Sequence, residues 1–116
     1  MKNKVTTTQQ YIEEIFKINK HIENDNQLSI LMNISRQAIS NYRNGQNMSP
    51  YVATKVAHMV DRHPFEVICA TQYWQAQTEE EKKFWKNGFN AGLKMNFEES
   101  QERYNVIALR TKEDDE

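Results

Sequence analysis

Apolar residues recur along this chain at helical rather than strand spacing. The first run is Tyr11, Ile12, Ile15, Phe16, Ile18 and Ile22, with Glu13, Glu14 and Lys17 turned outward. Thr6, Thr7 and Thr8 supply an N-cap, so the spacing predicts a helix over 6–19. Asn24, Asp25 and Asn26 break the pattern and cap a second, short helix over 27–32, with Leu28, Leu31 and Met32 inward. Asn33 suits a left-handed turn, and Ile34 can plug the core at that corner. Ser35 caps a third helix that runs to Arg43, with Ala38, Ile39 and Tyr42 as its buried stripe and Asn44-Gly45 as its stop.

Ser49-Pro50 is a cap followed by proline in the first turn, a start signal for a fourth helix carrying Val52, Val56, Ala57, Met59 and Val60. Pro64 opens a fifth, with Phe65, Ile68, Cys69, Tyr73 and Trp74 on its apolar side. Thr78 with Glu81 reads as a capping box, and the acids that follow sit where a helix dipole favours them. That sixth helix shows Phe84, Trp85, Phe89 and Leu93. After Met95 the periodicity fades. Residues 98–102 can extend the helix, 104–109 read equally as a short strand or a last helical turn, and 111–116 (TKEDDE) read as a disordered acidic tail.

Composition agrees with an all-α chain. Three glycines and two prolines in 116 residues favour helices over a turn-rich β fold. The length suits one domain with an appended segment, divided here as 1–77, 78–110 and the tail 111–116. No apolar run approaches the roughly 18 residues that cross a bilayer. The start, MKNKVTTTQQYIEE, has no apolar signal core. Cys69 is the single cysteine, which excludes an internal disulfide; a cytoplasmic location is expected.

Charge changes the picture. The net charge is −1, but residues 1–63 hold eight lysines and arginines against five acids (+3), and residues 64–116 hold seven against eleven (−4). A basic N-terminal half is a hint of anion binding there. Catalytic chemistry has no foothold: there is no triad-like set and no phosphate-binding glycine loop. His21, His58, His63 and Cys69 do not form a metal site, because His58 and His63 are five apart and no second cysteine exists. Neither enzyme activity nor a metal or other cofactor is expected.

Residues 27–45, QLSILMNISRQAISNYRNG, then carry the functional reading. Two short helices flanking a tight turn are the requirement of a helix-turn-helix. The stretch resembles the lambda-repressor and Cro family, whose signature reads Gln-x-x-Leu-Ala-x-x-Leu-Gly-Val-Ser-Arg-x-x-Ile-Ser-x-Tyr/Trp-x-x-Gly. Leu28, Met32, Ile34, Ser35, Arg36, Gln37, Ala38, Ile39, Ser40, Tyr42, Asn44 and Gly45 stand at matching places. Ser29 departs from the usual alanine and Asn33 from the usual glycine; serine is nearly as small, and asparagine accepts positive φ. The resemblance covers about residues 5–75. It implies a five-helix bundle that binds double-stranded DNA, here with an additional C-terminal helical segment. Residues 78–85 (TEEEKKFW) show a slighter resemblance to small regulators of filamentous phages and prophages.

A helix entering the major groove end-on exposes its first turn and the next residues on that face. From Ser35 these are Arg36, Gln37, Ser40 and Asn41, the expected base readers. Arginine matches guanine O6/N7, and glutamine and asparagine match adenine N6/N7. The resemblance places Arg36, Gln37 and Asn41 on base-contact positions and Asn44 on a backbone-contact position. Gln27, Ser35, Arg43, Asn44, Asn47, Tyr51 and Lys55 are the expected phosphate contacts. Trp74, Phe84, Trp85, Phe89 and Leu93 are many large apolar groups for a segment that merely covers a bundle, and Gly88 and Gly92 would let another helix come close. These seven residues form either a dimer interface or packing onto the chain's own bundle. The expected function is a phage-type transcriptional repressor binding a palindromic operator as a homodimer. The alternative is the antitoxin of a toxin–antitoxin pair, with residues 98–116 folding onto a toxin protein.

Overall fold

The computed structural model describes residues 4–95, and among them every regular element is a helix: α1 (Thr8–Ile18), α2 (Asp25–Met32), α3 (Arg36–Arg43), α4 (Pro50–Met59), α5 (Pro64–Gln75) and α6 (Glu79–Lys94). The sequence expectations for 98–116 lie outside the described residues. No helix among those described is long and apolar enough to cross a membrane.

Each helix starts where a side-chain acceptor meets an orphan N–H. Thr7, Asn24, Ser35, Ser49 and Thr78 each accept from the backbone N–H three residues on, and His63 accepts from Phe65. At α1 the cap is reciprocal, because the Gln10 side chain accepts from the Thr7 N–H. At α6 the expected box is displaced by one residue: the Glu81 side chain accepts from Gln77 N–H rather than from Thr78.

Three helices stop in the same manner. Asn33 after α2 (φ 55°), Gly45 after α3 (φ 102°) and Asp61 after α4 (φ 54°) take the left-handed conformation. The next residue's N–H then returns to a carbonyl five positions back: Ile34 to Ser29, Gln46 to Asn41, Arg62 to Ala57. This is the Schellman arrangement, and asparagine and aspartate serve at two of the three because their short polar side chains tolerate it.

One core unites the helices. Tyr11, Ile12 and Ile15 of α1, Leu28 and Met32 of α2, Ile39 and Tyr42 of α3, Val52, Ala53, Val56 and Ala57 of α4, and Val67, Cys69 and Ala70 of α5 are buried together with Val5, Ile22, Met48, Val60 and Phe89. Some expectations require correction. Leu31 is 59 % exposed, and Ser29, two residues earlier and so on the opposite side of the helix, is buried in its stead with its hydroxyl on the Asn26 carbonyl. Ile18 is also exposed. On α5 the inward side is Glu66, Val67, Cys69, Ala70 and Thr71, while Phe65 and Trp74 lie exposed. Both faces of α5 are covered, by α4 on one side and α6 on the other, so its apolar residues do not fall on a single stripe.

A buried polar cluster pins α1 to α5. The Tyr11 hydroxyl donates to Glu66 Oε2 at 2.7 Å, and Glu66 is 3 % exposed. Arg62 bridges Glu66 and Glu14, with N–O separations of 3.2 and 3.0 Å. Burial, reinforced by the Glu66 charge, pushes the Tyr11 phenol well above its usual range.

Candidate nucleic-acid interface

The turn between α2 and α3 spans residues 33–35. Its geometry follows from three residues: Asn33 reverses the chain, Ile34 packs against the core, and the Ser35 hydroxyl accepts from Ala38 N–H at 3.0 Å to start α3. Ile39 and Tyr42 are buried and Ala38 packs against the core, so the orientation of α3 is set by its inner stripe. The opposite side carries Arg36 and Gln37, both exposed, with Ser40 and Asn41 half-buried beside them. The four predicted reading residues thus share one side of α3.

Gln37 and Asn41 are not independent. Gln37 Nε2 donates to Asn41 Oδ1 at 2.9 Å, one helical turn apart. Among the described residues, nothing else takes up the Gln37 carbonyl or the Asn41 amide NH2. An acceptor, amide donors and the Arg36 guanidinium on one helix face match the hydrogen-bonding groups that bases show in the major groove.

The expected phosphate contacts divide into two sets. Ser35, Asn44, Tyr51 and Gln27 are exposed and Asn47 is half-buried. Three of these also have local work: Gln27 Oε1 accepts from Glu23 N–H, Ser35 Oγ accepts from Ala38 N–H, and Asn44 Nδ2 donates to the Ser40 carbonyl. Arg43 and Lys55 form the second set, holding the helices in place. Arg43 makes a two-pronged ion pair with Asp25, with Nη2 2.7 Å from Oδ1, and stacks 5.1 Å from the centre of the Phe16 ring. It therefore braces α3 against both α1 and α2. Lys55 Nζ donates to the Met32 carbonyl at 2.8 Å, where the negative end of the α2 dipole favours a cation, and lies 4.5 Å from the Tyr51 ring centre. Neither Asp25 nor Phe16 was singled out as Arg43's partner in the sequence. Asp25 lies 18 residues before Arg43, and a pairing at that separation leaves no local pattern. Glu23 and Asp25 share an open groove with Arg36 and Arg43, so the charge beside the start of α3 is mixed.

The seven residues weighed as a dimer interface separate as well. Phe89 is 1 % exposed within the chain's own core. A Cβ on Gly92 would stand 2.6 Å from Glu66 Cα, and one on Gly88 would stand 2.7 Å from Cys69 Sγ. The close helix approach that these glycines permit is that of α5 in the same chain. Gly88, Phe89 and Gly92 therefore face inward, a correction to their reading as dimer surface. Trp85 and Leu93 pack partly against the core, while Phe84 (66 % exposed) and Trp74 remain outside. Trp74 does so with its indole N–H on the Thr6 carbonyl. Among the described residues no group of three or more His, Cys, Asp or Glu could hold a metal ion. Comparison with family models, characterised proteins and solved structures found no match.

Proposed function

We propose that this chain is a sequence-specific double-stranded DNA-binding transcriptional regulator. In this reading α2, the 33–35 turn and α3 act as a helix-turn-helix of the lambda-repressor and Cro kind, with α3 in the major groove. The observation that carries it is the outward side of α3: Arg36, the hydrogen-bonded Gln37–Asn41 pair and Ser40, on a helix whose other side is buried. Arg36 pairs with a guanine and the amide pair with an adjacent adenine. The caps and polar groups at Gln27, Ser35, Asn44, Asn47 and Tyr51 hold the phosphates. The protein works in the cytoplasm as a phage-type repressor, occluding a promoter without chemistry of its own. One bundle covers one half-site, so two copies bind a palindrome with half-sites about one turn apart.

In-vitro selection with the full chain tests this directly. A single preferred, two-fold-symmetric site is expected. Arg36→Ala, Gln37→Ala and Asn41→Ala should each lose about 1–3 kcal/mol of discrimination at one base pair, with thermal melts unchanged. Selection that yields no preferred sequence, or three variants with wild-type preference, overturns the reading.

A further inference from the structure

The outer face of α6 has a pattern that its packing on α5 does not use. Trp85, Gly88, Phe89 and Gly92 face α5 or the core. Glu80, Phe84, Asn87, Ala91 and Lys94 are all exposed, and their spacing is four, three, four, three. That is the 3.5-residue period of a helix-pairing seam. Its order is also self-complementary about its centre: an acid at one end, a base at the other, a large apolar residue opposite a small one, and asparagine in the middle. Glu79 and Glu81 reinforce the acidic end.

From these features we infer that the outer seam of α6 pairs with α6 of a second copy of this chain, antiparallel, about a two-fold axis at Asn87. Glu80 of each copy lies against Lys94 of the other. Phe84, 66 % exposed in the single chain, fills the space over the other copy's Ala91. The two asparagines meet at the axis between the apolar Phe84 and Ala91 positions, where a polar residue fixes register. A parallel pair would set acid on acid and base on base; the antiparallel pair also opposes the helix dipoles favourably. The seam is about 21 Å long at 1.5 Å per residue. This inference rests on the two-copy part of the proposed function and gives it a surface, one that replaces the inward-facing Gly88, Phe89 and Gly92.

Sedimentation equilibrium of the full 116-residue chain without DNA is the test. Wild type should sediment as a dimer. Glu80→Lys with Glu81→Lys, and separately Lys94→Glu, should each give monomers, and mixing the two variants should restore a dimer, because both ends of the seam then pair opposite charges. Phe84→Ala should weaken dimerisation at least about tenfold. All these positions are exposed, so far-UV circular dichroism should stay that of wild type, while thermal melts should fall modestly, because Glu81 caps α6 and a dissociated dimer melts lower. A wild-type dimer that ignores every variant overturns the seam and leaves the two-copy reading standing. Separate variants that dissociate yet fail to pair when mixed overturn the antiparallel register. A wild-type monomer at every concentration overturns both.

Discussion

Asn33 shows how much one side chain can determine. It holds φ 55° at the corner between α2 and α3, and the direction in which α3 leaves depends on it. A β-branched residue there carries the left-handed penalty in full, so Asn33→Val should destabilise the fold by about 1–2 kcal/mol in urea titration. Asn33→Gly should be neutral or stabilising. The same turn was legible in the sequence, because asparagine between an apolar run and a serine cap has few other uses. The Ser35 and Ser49 caps were legible for similar local reasons. Arg43 was not. Its charge and position suggested a phosphate contact, and only the fold brings Asp25 and Phe16 to it.

At the scale of elements, α5 and α6 behave as one unit held by two glycines. Glycine inside a helix normally costs about 0.5–1 kcal/mol relative to alanine, so Gly→Ala on an open helix face would stabilise. Gly92→Ala should do the reverse, because the added carbon meets the Glu66 backbone, which cannot move aside. We expect a loss of about 1–3 kcal/mol in thermal or urea unfolding. Gly88→Ala meets the Cys69 sulfur instead, so Cys69→Ala should recover part of its cost in a double-mutant cycle. Hydrophobic period placed α1, α3 and α4 well, since each buries one stripe. It misjudged α5, where Phe65 and Trp74 look like core and Val67 and Ala70 are core, because a helix covered on two faces has no single apolar stripe. It misjudged Leu31 for a different reason: α2 carries Leu28, Ile30, Leu31 and Met32 around much of its circumference, so apolar spacing does not single out its inner side.

For the molecule as a whole, the buried Tyr11–Glu66–Arg62 cluster predicts a response to alkali. Tyr11 is raised above 10.0 by burial and by Glu66, Cys69 above 9.0 by burial, and Tyr42 above 10.0 by burial. All three bind a proton more tightly when folded, so their contribution is complete below the unfolded values and declines as pH rises past them. Stability should therefore fall from about pH 9 upward, by up to about 1.4 kcal/mol per pH unit for each group involved. Tyr11→Phe should flatten the profile above pH 10 in pH-dependent urea titrations. The Arg43–Asp25 clamp has a different consequence, which concerns the ions around DNA. Arginine that is already neutralised, with Glu23 and Asp25 nearby, leaves few net positive charges to displace condensed cations from a duplex. In the proposed complex each copy would bring Arg36 from the α3 face, Lys55 being occupied by the Met32 carbonyl. The logarithm of the association constant should then fall only shallowly with the logarithm of salt concentration, with a slope of about −2 to −4 for two copies. A protein of this design would hold its site largely through hydroxyls, amides and helix caps, and would lose roughly 15- to 250-fold in affinity between about 50 and 200 mM salt, against about 10³–10⁵-fold for one gripping six to ten phosphates.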